Sequence, residues 1–338
     1  MTMRVLVVCI PQAGHLTPLL PLASALAEQG DEVVVASGPD VADTVTTAGL
    51  RFAAAGSGPA QWFPALSKRI RGVPGDGLPA ARILPYFVPR LFGEIAATDM
   101  IDDVLDAARA LDAHLVVYDP VAFAGQLRTF GLNVREVRRE TAISIWPPIL
   151  QQAEPGALTM RPTPLPAATT QPCRPPLIYL TLGTFSNANL TVFRTVLDAL
   201  AAEPVELIAT VGLDNDPDAL RPWPANARVE RFIPQSELLP RCSAVVDHGG
   251  SGTVLGALAH GLPQLVLPQS ADNFINAEMI EQSGLGQRLL PEEVTPDAIA
   301  RAVADVLADP APARRAAAEI ATMPAPCEIA HILRERYS

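Results

Sequence analysis

Two apolar runs constrain the fold class of this chain more than any other feature. Val5-Leu6-Val7-Val8 and Glu32-Val33-Val34-Val35-Ala36 have strand length, and between them Leu16, Leu19, Leu20, Leu22, Ala23 and Leu26 recur at helical spacing. A strand apolar at consecutive positions is covered on both faces, whereas a strand with one wet face alternates. Gln12-Ala13-Gly14-His15 breaks the first strand from its helix, and Gly30 is a good helix stop. Strand, helix, strand in so few residues requires a crossover and a parallel sheet, and so a layered α/β fold.

The same rhythm continues. Leu115-Val116-Val117-Tyr118 reads as another buried strand, ending at Asp119-Pro120. Residues 58–95 are rich in Pro, Gly and Arg and carry Trp62, Phe63, Ile83, Leu84, Tyr86, Phe87, Leu91 and Phe92. That mixture fits a mobile loop plus a short helix over a pocket, and equally a surface excursion packed by its own aromatics. Residues 161–176 hold six prolines without periodicity, which marks a stiff linker. Beyond it strands are expected at Leu177–Leu182, Glu206–Val211, Ala244–Val246 and Gln264–Leu267, and helices at Asn189–Ala202, from the 249–252 turn to His260, at Asp272–Gln282, and through 295–338. The expected division is a domain at 1–160, the linker at 161–176, and a second domain at 177–338 whose last helix returns to the first.

At 338 residues, two domains with separate cores fit the length. The net charge of -11 provides no basic field for a nucleic-acid backbone. No window is apolar for long enough to span a bilayer. Met1–Ile10 is a short apolar run with one Arg and no small-residue cleavage site, so no signal peptide is read and the expected location is cytoplasmic. Lys68 is the single lysine among 25 basic residues, which reads as GC-rich codon usage. Cys9, Cys173, Cys242 and Cys327 show no metal-ligand or disulfide spacing and read as reduced, buried thiols. Asp214-Asn215-Asp216-Pro217-Asp218 lacks the Gly and Glu of a calcium loop and reads as a solvated turn.

The strongest chemical signal is Val245-Val246-Asp247-His248-Gly249-Gly250-Ser251-Gly252-Thr253. A glycine-rich turn that leaves a buried strand and opens a helix points bare N–H groups at an anion, and the helix dipole favours the charge. Missing side chains let phosphate oxygens approach, Thr253 adds a hydroxyl, and His248 adds a cationic or neutral donor. The spacing is neither a P-loop nor a dinucleotide fingerprint. Taken alone, the turn also fits a plain strand-to-helix connection.

Around it, Arg231-Phe232-Ile233-Pro234-Gln235, Leu238-Leu239-Pro240, Gly261-Leu262-Pro263-Gln264, Pro268-Gln269, Ala271-Asp272-Asn273 and Asn276-Ala277 follow in an order that resembles the nucleotide-sugar signature of family 1 glycosyltransferases, above all the actinobacterial antibiotic and macrolide enzymes. Pro11, Gly14-His15 and Pro18 resemble that family's first loop, and Tyr118-Asp119-Pro120 the end of a later strand. The resemblance implies a GT-B fold, two Rossmann-like domains facing across a cleft, with the acceptor held by the first and the donor by the second. Position by position, it implies that His248 and the turn Gly250, Ser251, Gly252, Thr253 hold the diphosphate. Phe232, Ile233 and Gln235 would flank the nucleobase, and Gly183 and Thr184 would close over the phosphates. Asp272 and Asn273 would bond the sugar hydroxyls. The family usually has Gln where Asn273 stands, and Asn offers an amide one methylene shorter.

Residue type alone would make His15 a capping or packing group and Asp119 a turn residue before proline. The resemblance makes His15 the general base that takes the acceptor proton, a task suited to a side chain that titrates near neutrality. Asp119 would then bond the other ring nitrogen, fix the tautomer and stabilise the imidazolium. His114, His260 and His331 read as structural. No metal and no cofactor beyond the nucleotide-sugar co-substrate are expected. Relatives that use UDP-glucose generally carry a Glu where this chain has Gly256, which favours a deoxyribose and hence a dTDP-sugar. The expected partners are therefore a nucleotide sugar and a small-molecule aglycone.

The chain is shorter than the family's usual length, and the shortfall falls near Thr129–Arg139, where a strand and helix lining the acceptor pocket would stand. An incomplete acceptor site would suit a different function, a non-catalytic nucleotide-sugar-binding helper. A nucleotide-sugar epimerase is a third option, although few carboxylates are placed for it. His15 with Asp119 favours the inverting transferase, since a pure binder has no use for a base.

Overall fold

The computed structural model describes residues 2–69, 89–119, 141–162, 175–183, 189–270 and 272–337. The chain divides into two units, one formed by Met1–Ile143, Pro155–Met160 and Pro324–Ser338, the other by Ser144–Glu154 and Arg161–Met323.

In the first unit the order is β1 (Arg4–Val8), α1 (Ala13–Leu16), α2 (Leu20–Glu28), β2 (Glu32–Ser37), α3 (Ala42–Thr47), β3 (Arg51–Ala54), α4 (Pro59–Arg69), a π-helical segment Pro89–Ala96 that runs into α5 (Ala97–Leu111), and β4 (Leu115–Tyr118). The sheet order is β3-β2-β1-β4, with every pair parallel. β1 lies between β2 and β4, with Val5 opposite both Val33 and Leu115, and its four apolar residues are fully buried. Covering on both faces is what its unbroken apolar run requires.

The helix expected from Leu16 to Leu26 is two helices. Pro18 has no N–H to give the Gly14 carbonyl, so the ladder stops at α1 and restarts at Leu20, bridged by Leu19 N–H to Leu16 O at 2.9 Å. His15 therefore sits on a short helical turn, not in a loop. In region 58–95 residues 70–88 lie outside the described residues, and both described flanks are helical and packed on the core. Trp62 and Leu66 of α4 and Leu91 are buried in the core, and Trp62 Nε1–H donates to Asp99 at 2.8 Å. That bond, with two more from Ser57, holds the Asp99 carboxyl below its usual range although burial opposes it.

Short strands β5 (Ile143–Ser144) and β6 (Leu158–Thr159) precede the second unit's sheet. That unit then runs β7 (Leu177–Thr181), α6 (Leu190–Leu200), β8 (Glu206–Thr210), β9 (Ala227–Glu230), α7 (Gln235–Leu238), β10 (Ala244–Asp247), α8 (Ser251–Ala259), β11 (Gln264–Val266), α9 (Asn273–Gln282), β12 (Gly286–Arg288), α10 (Pro296–Ala308) and α11 (Ala311–Thr322). Its six strands are all parallel in the order β12-β11-β10-β7-β8-β9. The chain order reverses between β7 and β10. In open α/β sheets that switch point, at the carboxyl ends of the strands, is where ligands bind. Trp146, Ile149 and Leu150 pack on this unit's α8–α9–α11 layer, and Ile149 N–H donates to Glu319 at 2.8 Å.

The last helix, α12 (Pro326–Tyr337), belongs to the first unit and lies on α2. Arg334 donates to the Gln29 carbonyl at 2.8 Å and faces the fully buried Asp31 carboxylate at 3.6 Å. Of the cysteines described, Cys9 and Cys242 are buried and Cys327 is exposed, which corrects the expectation of buried thiols throughout. Asp216 caps the turn at Pro217–Leu220, and Asp218 pairs with Arg221, so the aspartate-rich stretch is a capped surface turn. Among the described residues, no helix is long and apolar enough to cross a membrane.

Candidate active site

Two clusters of polar residues stand at carboxyl ends of strands, one in each unit. In the first, β1 and β4 are neighbours with Val8 opposite Tyr118, so the residues that leave them come together. Asp119 follows β4 directly and its N–H donates to the Val8 carbonyl at 3.1 Å. His15, one short turn beyond β1, places Nδ1 in hydrogen-bond contact with Asp119 Oδ2. The carboxylate side chain is only 9% exposed, whereas the imidazole is 27% exposed. An Nδ1–H donated to the carboxylate leaves Nε2 unprotonated in the neutral ring, as proton acceptance demands. Phe92 lies beside the imidazole, with ring centroids 6.1 Å apart at 50°. Sequence reasoning grouped Phe92 with the pocket loop and assigned it no role.

The second cluster is the corner between β10 and α8. Gly250 is the helix N-cap and brings no side chain to the first turn, so among the described residues the N–H groups there keep their donor capacity. Gly249 sits at φ +85, a conformation open to glycine at little cost, and its N–H donates to Asp247 Oδ1 at 2.6 Å. A Cβ at Gly183 would fall 2.4 Å from His248 Cε1, and one at Gly250 would fall 2.5 Å from His248 Nε2. Those glycines make room for the imidazole. A Cβ at Gly252, by contrast, would meet none of the described residues within 4 Å, so the open approach to the helix end is there.

His248 is 9% exposed, and burial pushes its pKa down to about 4 against the opposing pull of Asp272. It is thus a neutral donor at physiological pH, and its buried Nδ1 has no hydrogen-bond partner among the described residues. Asp247 is wholly buried. Desolvation, only partly offset by the Gly249 N–H, pushes its pKa up to about 7, and Oδ2 has no partner among the described residues. Asp247 was not singled out from sequence. A polar residue closing an apolar strand just before a glycine turn was the available signal.

Gln235 Nε2 donates to Thr253 Oγ1 at 3.1 Å, joining the expected base-flanking segment to the corner. Phe232 is 60% exposed, and Ile233 is half-buried against the core. Asp272 is exposed and accepts from Ser251 Oγ at 3.2 Å. Asn273 is buried, its Oδ1 accepts the Ser270 N–H at 3.1 Å, and its carbonyl lies under Gly249. The shorter amide thus closes its own loop while Asp272 faces out. Thr184 lies outside the described residues, as does the Thr129–Arg139 region.

Residues 194–336 match the model of the erythromycin biosynthesis protein CIII-like C-terminal domain. Elloramycin glycosyltransferase ElmGT of Streptomyces olivaceus is 32% identical over 97% of this chain and 96% of its own length. The chain belongs to the actinobacterial antibiotic glycosyltransferases. That alignment runs to 373 positions, more than the 338 residues present, so this glycosyltransferase lacks residues found in its relative. The glycosyltransferase SnogD from Streptomyces nogalater superposes with a TM-score of 0.75 at 26% identity, covering 100% of both chains. Spinosyn rhamnosyltransferase SpnG, complexed with thymidine diphosphate, superposes at 0.77 with 25% identity over 98% of this chain and 100% of its own. The fold of this glycosyltransferase is therefore GT-B, with two Rossmann-like domains.

Proposed function

We propose that this glycosyltransferase moves a deoxysugar from a dTDP-sugar to a hydroxyl of a natural-product aglycone, with inversion at the anomeric carbon. The observation that carries the reading is the His15–Asp119 hydrogen bond, which leaves Nε2 as the acceptor nitrogen. The aglycone hydroxyl gives its proton to Nε2 as its oxygen attacks the anomeric carbon, through an oxocarbenium-like transition state. The bond from that carbon to the diphosphate oxygen breaks, and the nucleoside diphosphate departs with the electron pair. Attack opposite the leaving group inverts the centre. Asp119 stabilises the imidazolium that forms.

Negative charge grows on the leaving diphosphate, and the uncapped N–H groups of α8 with neutral His248 are the donors assigned to it. Open space at Gly252 supports that assignment. Phe232 and Gln235 flank the base, and Asp272 faces the sugar. The preference for dTDP is supported by Gly256 and by the thymidine diphosphate complex of SpnG. This reading gives charge neutralisation to the helix terminus, not to a metal, and a chelator should leave turnover unchanged. The deciding experiment is His15→Ala assayed on a panel of dTDP-sugars and phenolic acceptors. Transfer should fall by ~10²–10⁴-fold while dTDP binding survives; undiminished transfer would overturn the assignment.

A further inference from the structure

Asn276, one residue of the signature around the glycine turn, is the hub of the donor corner. It is 3% exposed, on the first turn of α9, and its Nδ2 meets three acceptors. The Gly249 carbonyl is at 2.7 Å, Asp272 Oδ2 at 3.2 Å, and Ser251 Oγ at 3.3 Å. An amide nitrogen has two hydrogens. One points at the Gly249 carbonyl, at the residue whose φ of +85 turns the chain into α8. The other is shared between the Asp272 carboxylate and the Ser251 hydroxyl, and Ser251 itself donates to Asp272.

We propose that Asn276 is a positioning residue that fixes Asp272, the carboxylate facing the donor sugar, relative to the glycine corner that holds the diphosphate. It touches neither ligand. It acts by tying the backbone at Gly249, the first residue of α8 and Asp272 into one rigid unit, so that sugar and phosphate recognition keep a fixed spacing. The amide is buried and so is its bond to the Gly249 carbonyl, so releasing that bond leaves buried groups unpaired, while the part-buried bonds to Asp272 and Ser251 orient the second hydrogen. The inference rests on the proposed role of Asp272 as a sugar contact.

Its test compares Asn276→Ala, Asp272→Ala and the double variant, using dTDP affinity by calorimetry and kcat/KM with the best donor of a dTDP-sugar panel. Asn276→Ala should lower kcat/KM about 10-fold or more while dTDP affinity stays within about 3-fold. In the Asp272→Ala background it should cost less than about 2-fold more, because its effect is exerted through that carboxylate. Additive losses would overturn the proposal, as would a dTDP affinity that falls in step with turnover. If the alanine variant does not fold, Asn276→Ser, which keeps a shorter hydroxyl donor at this position, takes its place, and the same pattern is expected. Asp272→Ala with full activity would remove both the sugar-contact reading and this inference. Impaired Asp272→Ala beside unimpaired Asn276→Ala would remove this inference alone.

Discussion

The imidazole of His248 occupies the volume that a Cβ at Gly183 would need, with Cε1 2.4 Å from that position. Gly183 also lies at φ +70, so an alanine there is strained twice, by its backbone and by the ring. Gly183→Ala should lower the melting temperature and weaken dTDP binding together, because the ring can yield only by leaving its pocket. Gly252→Ala is the contrast. Its Cβ meets no atom of the described residues within 4 Å, so the fold should hold or gain slightly while dTDP affinity falls by ~10-fold or more. Thermal unfolding beside calorimetry separates the two, and equal loss of stability in both variants would contradict this division of labour.

Asp119→Asn tests the base. The amide keeps the size of the carboxylate but cannot favour Nδ1–H over the other tautomer or stabilise the imidazolium. Turnover should drop by ~10²–10⁴-fold with little change in dTDP affinity. A variant with near-normal kcat would show that the bond to His15 serves only packing.

Asp247 and His248 pull on stability in opposite directions as pH changes. Asp247 has its pKa raised from 3.8 to about 7 in the folded state, so its contribution is full below 3.8 and lost as pH rises to about 7. His248 has its pKa lowered from 6.5 to about 4, so its contribution is full above 6.5 and lost as pH falls to about 4. The windows overlap and the slopes offset each other. Asp247→Asn mimics the protonated acid, removes one slope and leaves the other. Its melting temperature should therefore rise with pH between 4.5 and 6.5 more steeply than that of the unsubstituted protein. Parallel curves would show that the two groups do not titrate as their burial dictates.

The same burial explains which features could be read from sequence. Val5–Val8, Val33–Ala36 and Leu177–Leu182 lie inside their sheets, and continuous burial writes a continuous apolar run. β3, β9 and β12 were not read as strands. Each is short and partly exposed at or near a sheet edge, so Arg51, Arg228 and Gln287 dilute the pattern. At the candidate sites, His15 and the glycine corner were legible as residue types, because a histidine after a strand and a glycine run before a helix stand out in the pattern. Asn276 and Asp247 were not, since a buried polar residue shows its purpose only once its partners are known. The packing of Gly183 against His248 was hidden for a related reason, because sequence shows that a side chain is missing and not what fills the gap.

Gly256 bears on nucleotide choice. It lies on α8 one turn beyond Thr253, the residue that holds the Gln235 amide. A Cβ at this position would come 3.3 Å from Leu239 Cδ1 and 3.7 Å from Gln235 Oε1, so any side chain here grows beside the segment proposed to flank the base. Relatives that use UDP-glucose generally carry a glutamate at this place to accept from ribose hydroxyls, and glycine offers no acceptor for a 2′-hydroxyl. Desolvating that hydroxyl without a partner costs about 1–3 kcal/mol. Turnover with a dTDP-sugar should therefore exceed that with the matching UDP-sugar by ~10-fold or more, the fold-change such a cost implies. Gly256→Glu should narrow the gap by improving kcat/KM for the UDP-sugar and lowering it for the dTDP-sugar. A clear UDP preference in the unsubstituted protein, or a Gly256→Glu variant that weakens both donors alike, would contradict the assignment of this position to the ribose.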